Sequence, residues 1–382
     1  MDKVNTYPLS FDLRQHVRAG WSAIGKAAPA VLPVVSISPA LEIMNAFELT
    51  RALIDIDSVT PNEERVGEFL FAHLRELAAR TGGQVERMDV EPHRFNVLAT
   101  WGDPGSPIVV TLSTHIDTVP PFYGSREDDT HIWGRGACDT KGIIASMIFA
   151  TEALVASGVR GIALLFVVGE ERNSAGAIHA AKHSRGSRFI INGEPTENHL
   201  ALGSKGALRY EIVASGRMAH SAYPHLGESA IEKLLDALAR VRKIPMPQDG
   251  TLGASTMNIG TIRGGRAPNV IPDDARAEIF FRLVDSGDGL RAATVEAVRG
   301  FGEAIEVLSI PAVHLGSVEG FKTTVVSFTT DIPAFDGAWG QPYLIGPGSI
   351  HVAHTDEERI PKAEIVEAIG LYQNLVRKLI QV

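Results

Sequence analysis

The feature that most constrains this chain is a set of three short, unbroken apolar segments separated by helical patterns. Pro107-Ile-Val-Val-Thr-Leu-Ser, Gly161-Ile-Ala-Leu-Leu-Phe-Val-Val and Arg188-Phe-Ile-Ile-Asn each read as a strand. Gly142 to Ser157 and Ser174 to His183 read as helices between them. A strand that is apolar at nearly every position has no face to show to water, so helices must cover both sides of its sheet. The expected fold class is α/β with a mostly parallel sheet. Upstream, helical patterning runs from about Leu41 to Asp57 and from about Glu63 to Arg80. Val85 to Val90 and Phe95 to Thr100 read as strands.

The pattern changes near Gly203. Leu208 to Ser215 alternates like a half-exposed strand, and Glu228 to Val241 is a helix with Ile231, Leu234, Leu235, Leu238 and Val241 on one stripe. Strands at Ser255–Ile262 and Ala275–Val284, a helix over about Gly289–Phe301 and a strand at Ala304–Leu308 follow. In the second of these strands Ala275, Ala277, Ile279, Phe281 and Leu283 share a face. The order β-α-β-β-α-β is the ferredoxin-like split βαβ arrangement. The α/β pattern then resumes with strands at Thr323–Phe328 and Gln341–Gly346 and a helix over Lys362–Leu379. The expected organisation is an extension at 1–40, an α/β domain from 41–206 and 316–382, and a second domain inserted into it at 207–315.

At 382 residues, with 45% hydrophobic and 21% charged residues, two packed domains are affordable. A net charge of -9 argues against nucleic acid or an anionic membrane as partner. No apolar run reaches the ~18 residues that span a bilayer. The first residues lack the basic start and unbroken apolar stretch of a signal peptide. Cys138 is the only cysteine, which fits a reducing compartment, so a cytoplasmic location is expected.

In open α/β sheets, ligands bind beyond the carboxyl ends of the strands. His115 and Asp117 follow the first apolar strand, Glu170 and Glu171 the second, and Glu194 the third; Asp139 opens the helix that begins at Gly142, where an aspartate could also cap it. Clustered carboxylates repel and push one another toward the neutral form unless dications are present. Imidazole and carboxylate donors without thiolates suit a catalytic zinc or a similar ion.

Ser113-Thr-His-Ile-Asp117-Thr-Val-Pro, Gly134-Arg-Gly-Ala-Cys-Asp139-Thr-Lys-Gly142 and Gly169-Glu-Glu171 resemble three core motifs of one metallopeptidase family. That family contains the dizinc aminoacylases, acetylornithine deacetylases and succinyl-diaminopimelate desuccinylases. Asn192-Gly-Glu194-Pro-Thr and Gly346-Pro-Gly-Ser-Ile-His-Val-Ala-His354-Thr-Asp-Glu are similar to its fourth and fifth. The resemblance implies two divalent metal ions, zinc or alternatively cobalt. Asp139 would bridge them, with His115 and Glu194 on one and Glu171 and His354 on the other. Glu170 would be general base and acid, and Asp117 would hydrogen-bond the far nitrogen of His115, as a metal-bound histidine requires. Adjacent glutamates in extended chain would point apart, one to a metal and one to the water.

In the inserted segment, Gly216-Arg-Met-Ala-His220-Ser resembles the family's lid histidine, which reaches a dimer partner's site to stabilise an oxyanion. Asn269 and Arg282 resemble its substrate-carboxylate contacts. The implied protein is a homodimeric deacylase of a small-molecule N-acyl amino acid, most like the acetylornithine deacetylases. Dipeptidase or carboxypeptidase action at the same site, and a catalytically silent binding module, are the alternatives. Phosphate-loop, serine-hydrolase and dinucleotide motifs are missing from the sequence.

Overall fold

A computed structural model describes residues 44–102 and 106–381. The expected extension at 1–40 lies outside them. A six-stranded sheet runs in the order Gln84–Glu91, Arg94–Trp101, Ile162–Val167, Val110–His115, Phe189–Asn192, Gln341–Leu344. The last four are mutually parallel, and the first two are antiparallel. The reason is local: Glu91 pairs with Arg94, leaving only Pro92 and His93 to turn the chain. So short a loop can join only antiparallel strands.

The apolar strands are buried on both faces, as expected. Within Ile162–Val167, Ile162, Leu164 and Phe166 enter one core with the helices Glu64–Thr81, Gly142–Ala156 and Lys362–Ile380. Ala163, Leu165 and Val167 enter another with Ala177 and Ala180 of the helix Ala175–Lys182. The first described helix, Ala46–Ile54, is shorter than the Leu41–Asp57 pattern. Asn45 and Glu48 close it with a reciprocal capping box.

The second sheet is antiparallel in the order Thr256–Gly264, Asp274–Leu283, Gly206–Ser215, Glu303–Ile310. The helices Ala230–Val241 and Asp288–Val298 pack with it, which realises the β-α-β-β-α-β order. Ala275, Ala277, Ile279, Phe281 and Leu283 are all buried. One expectation fails here. Leu235 is 49% exposed, because the buried stripe is centred on Leu234, Leu238 and Val241 and is completed by Ala230 and Ala237. The two small alanines let the helix sit close to the sheet with Leu235 turned out. The strand expected at Thr323–Phe328 forms as Thr323–Val326, but in a separate three-stranded ribbon with Leu200–Ser204 and Val313–His314, neither of which was anticipated. Among the described residues no helix is long and apolar enough to cross a membrane.

Candidate metal centre and active site

His115 ends its strand, fully buried, with Nε2 3.0 Å from Oδ1 of Asp139. The other oxygen of Asp139 lies 3.3 Å from Nε2 of His354. His354 Nε2 is also 3.1 Å from Glu171 Oε1. Two donor groups result, His115–Asp139–Glu194 and Asp139–Glu171–His354, each with its ligand atoms within 4.8 Å of one another. Asp139 belongs to both. The five residues expected to hold metal thus come together, drawn from three strand ends and two loops.

Asp139 gets there without capping the following helix. It sits in a tight π-type turn, Ala137–Lys141, and the helix Gly142–Ala156 has no side-chain cap. Thr140 donates to the carbonyl of His115, and the buried Lys141 donates to Ser58 Oγ and the carbonyl of Ile116, tying the two loops together. Burial works to raise the Asp139 carboxyl, but His115 and His354 beside it hold it well below its usual range.

Asp117 meets the far nitrogen of His115 as expected, with its carbonyl the nearer group. Nδ1 of His115 lies 3.1 Å from the Asp117 carbonyl and 3.6 Å from its carboxylate. The carboxylate also serves the neighbouring turn. It accepts the backbone N–H groups of Gly169, Glu170 and Glu171 at 3.0, 3.1 and 3.2 Å, and the hydroxyl of Thr60 at 2.7 Å. Asp117 is therefore a positioning residue for the Glu170–Glu171 turn as well as a backbone anchor for His115. The turn itself corrects one expectation, because Glu170 and Glu171 do not lie in extended chain. Gly169 has φ +81°, and its carbonyl accepts from Asn173 and Ser174. A side chain at 169 would meet the guanidinium of Arg94, which is buried in a bidentate pair with Glu63. Asn96 fastens both ends of the segment, accepting from Val168 N at 3.1 Å and donating to the Gly176 carbonyl at 2.8 Å. The bend sends Glu171 to His354 and leaves Glu170 on the wall of the central cavity.

That cavity has a volume near 660 Å³. Asp139, Glu170, Glu171, Glu194 and His354 line it, together with Arg282 and Leu308 to Pro311. Burial and like charge raise the carboxyls of Glu170 and Glu194 well above the ordinary range, and Glu171 is also raised. Oε1 of Glu194 is buried without a hydrogen-bond partner. This is what a pair of cation sites looks like in protein terms: converging oxygens and imidazoles, an orphaned carboxylate oxygen, and mutual repulsion that dications would cancel. The residues present fit two divalent cations.

Arg282 is half-buried on the cavity wall. Among the described residues it has no acidic partner, only the Phe280 ring, with its guanidinium carbon 4.7 Å from the ring centre. His220 and Asn269 are exposed and lie outside the cavity lining of their own chain. They are neighbours in a small ladder, where Ser221 N donates to the Asn269 carbonyl.

Sequence reasoning missed Glu358 as a supporting residue. Glu358 is buried, accepts from Arg135 at 2.6 Å and from Asp139 N at 3.4 Å, and is pushed up to about 7 by burial. Asp331 is buried close to the cluster, with its carboxyl pushed up to about 7 by burial. Glu358 directly follows the His354-Thr-Asp-Glu motif, but nothing in that acidic stretch distinguishes a buried acid from its exposed neighbours. Cys138 is buried, and burial raises its thiol, so it is no nucleophile.

The sheet-edge cluster with its paired cation sites defines a metal-dependent hydrolase. A family model described as a peptidase dimerisation domain matches residues 202–299, and one described as peptidase family M28 matches residues 96–249. A peptidase M20 domain-containing protein of Schizosaccharomyces pombe is 36% identical over 339 residues, covering 87% of this chain and 84% of its own. A probable carboxypeptidase of Aspergillus terreus is 36% identical, covering 92% and 88%. Among solved structures, aminopeptidase PepT of Bacillus cereus superposes with a TM-score of 0.73 at 20% identity, covering 88% of this chain and 98% of its own. The chain belongs to the M20 family of metallopeptidases.

Proposed function

We propose that the protein hydrolyses the amide bond that joins an acyl or aminoacyl group to an amino acid bearing a free α-carboxylate. In peptide terms this is carboxypeptidase action on short substrates. The observation that carries the reading is Arg282. A half-buried guanidinium lining the same cavity as the acidic cluster, without an acidic partner among the described residues, suits a substrate anion. The curated relatives named as probable carboxypeptidases support the same reading. An N-acetyl amino acid is the smallest substrate of this kind, so the deacylase expectation is a special case of it.

Two divalent cations at the paired sites would supply Lewis acidity, polarising the scissile carbonyl and acidifying a water. His115, Asp139 and Glu194 would hold one, and Asp139, Glu171 and His354 the other. Glu170 takes the proton of the attacking water, whose oxygen adds to the carbonyl carbon. Glu170 then delivers that proton to the amide nitrogen as the C–N bond breaks, releasing an acid and a free amino acid. Arg282 fixes the carboxylate, and Asp117 keeps the Glu170 turn in place. His220 and Asn269 would serve the site of a second copy in a homodimer, His220 as oxyanion donor, a reading supported by their exposure outside their own chain's cavity lining.

The test compares a blocked dipeptide with a free terminal carboxylate against its terminal amide. The free acid should be cleaved with kcat/KM about 10- to 150-fold higher, the range for a charge-assisted hydrogen bond. Arg282→Ala should erase most of that difference. Equal cleavage of acid and amide by the unmodified protein would refute the carboxylate assignment.

A further inference from the structure

Four consecutive residues, Leu308 to Pro311, line the cavity at the end of an edge strand of the second sheet. An ordinary strand would turn alternate residues away from one another. Here the pairing with Gly206–Ser215 slips. Glu306 stands opposite Tyr210, yet Leu308 stands opposite Arg209, so Val307 is an extra, bulged residue. Had the register continued unbroken, Leu308 would oppose Leu208 of the buried core, and Val307 and Ser309 would oppose Arg209 and Ala207. A β-bulge shifts the frame by one residue and re-aims every side chain after it. The result places Leu308 in one cross-strand row with Arg209 and Phe280, and Ile310 in one row with Ala207 and Arg282. Directly opposed residues share a face. Leu308 and Ile310 therefore lie on the same face as Arg282, about 10 Å away across two strand spacings, with only the small Ala207 between Arg282 and Ile310. Leu308 is left 39% exposed there.

We propose that Leu308 and Ile310 form an apolar subsite beside Arg282 that selects substrates whose carboxylate-bearing residue has a branched or otherwise apolar side chain, such as leucine, rather than a charged one. The inference rests on the reading of Arg282 as the carboxylate anchor. With the carboxylate on Arg282 and the amide toward Glu170, the α-carbon sits between them and its side chain falls on this wall. The bulge puts Leu308 and Ile310 in these two rows, where Val307 and Ser309 would stand without it. A cationic side chain such as ornithine's finds no carboxylate on Leu308, Ser309, Ile310 or Pro311, and would lose hydration for no partner.

The experiment measures kcat/KM for one N-acyl series ending in leucine, methionine, alanine, glutamate and ornithine, all with free carboxylates, for the unmodified protein and for Leu308→Ala and Ile310→Ala. Leucine should exceed ornithine and glutamate by about 10-fold or more, and each variant should lower the leucine-to-alanine ratio by about 10-fold, the size of the effect of a few methylenes in a pocket. Fastest release of ornithine or glutamate would overturn the subsite while leaving the Arg282 reading intact. So would a leucine preference unmoved in both variants. Silence toward every free acid in the series would overturn the Arg282 reading, and the subsite with it.

Discussion

Glu170→Ala is expected to retain both cations and lose about 10²- to 10⁴-fold in kcat, the usual contribution of a positioned general acid–base. The separation of the two effects follows from the turn. Glu171 reaches His354, whereas Glu170 points to the cavity from the same bend. The bend is held from outside both side chains, by the Asp117 carboxylate on three successive N–H groups and by Asn96 on its flanks. Truncating Glu170 therefore leaves the ligand geometry in place, and bound metal measured by elemental analysis should stay at the unmodified level. Metal loss in proportion to activity would mean that Glu170 is a ligand, and unchanged turnover would remove it from the chemistry.

Co-expressing Glu170→Ala and His220→Ala chains should restore activity that neither has alone. His220→Ala is expected to lose about 10²- to 10³-fold in kcat, as removal of an oxyanion donor does. In a random mixture half the dimers are mixed, and each of those has one site with Glu170 and the partner chain's histidine both intact. About a quarter of the unmodified activity should then return. No recovery in demonstrably mixed dimers would place His220 at its own chain's site or outside the reaction. The exposure of His220 and Asn269, beside each other and away from the cavity of their own chain, is the reason to expect recovery.

The parts of the fold that depend on periodicity are legible in the sequence itself. Ile162 to Val167 reads as a doubly buried strand because every residue is apolar, and Asp274–Leu283 as a half-buried one because its apolar residues alternate. Register is not legible in the same way. The bulge at Val307 shifts the frame by one residue with no composition signal to mark it, and the glycine at 169 marks a turn without saying where each glutamate points. The same holds for the metal centre. Strand ends gather most of its acids and His115, and the family resemblance of the motifs names the five ligands. The His-x-Asp spacing, however, assigns Asp117 to His115 without showing that its carboxylate also serves three N–H groups of a distant loop. Glu358, Arg135, Asn96 and Arg94 leave no mark in the sequence because their work is done by burial and partner choice. Leu235 faces outward against expectation because alanines, which carry little weight in a hydrophobic stripe, set where the helix touches its sheet.

The most direct test of the two-cation hydrolase account is amine release from an N-acyl leucine, with zinc or cobalt supplied, followed before and after removal of metal by a chelator. The account predicts release that falls to background on chelation and returns when close to two equivalents of metal per chain are added back. Release that continues undiminished in chelated protein shown to hold no metal would contradict it.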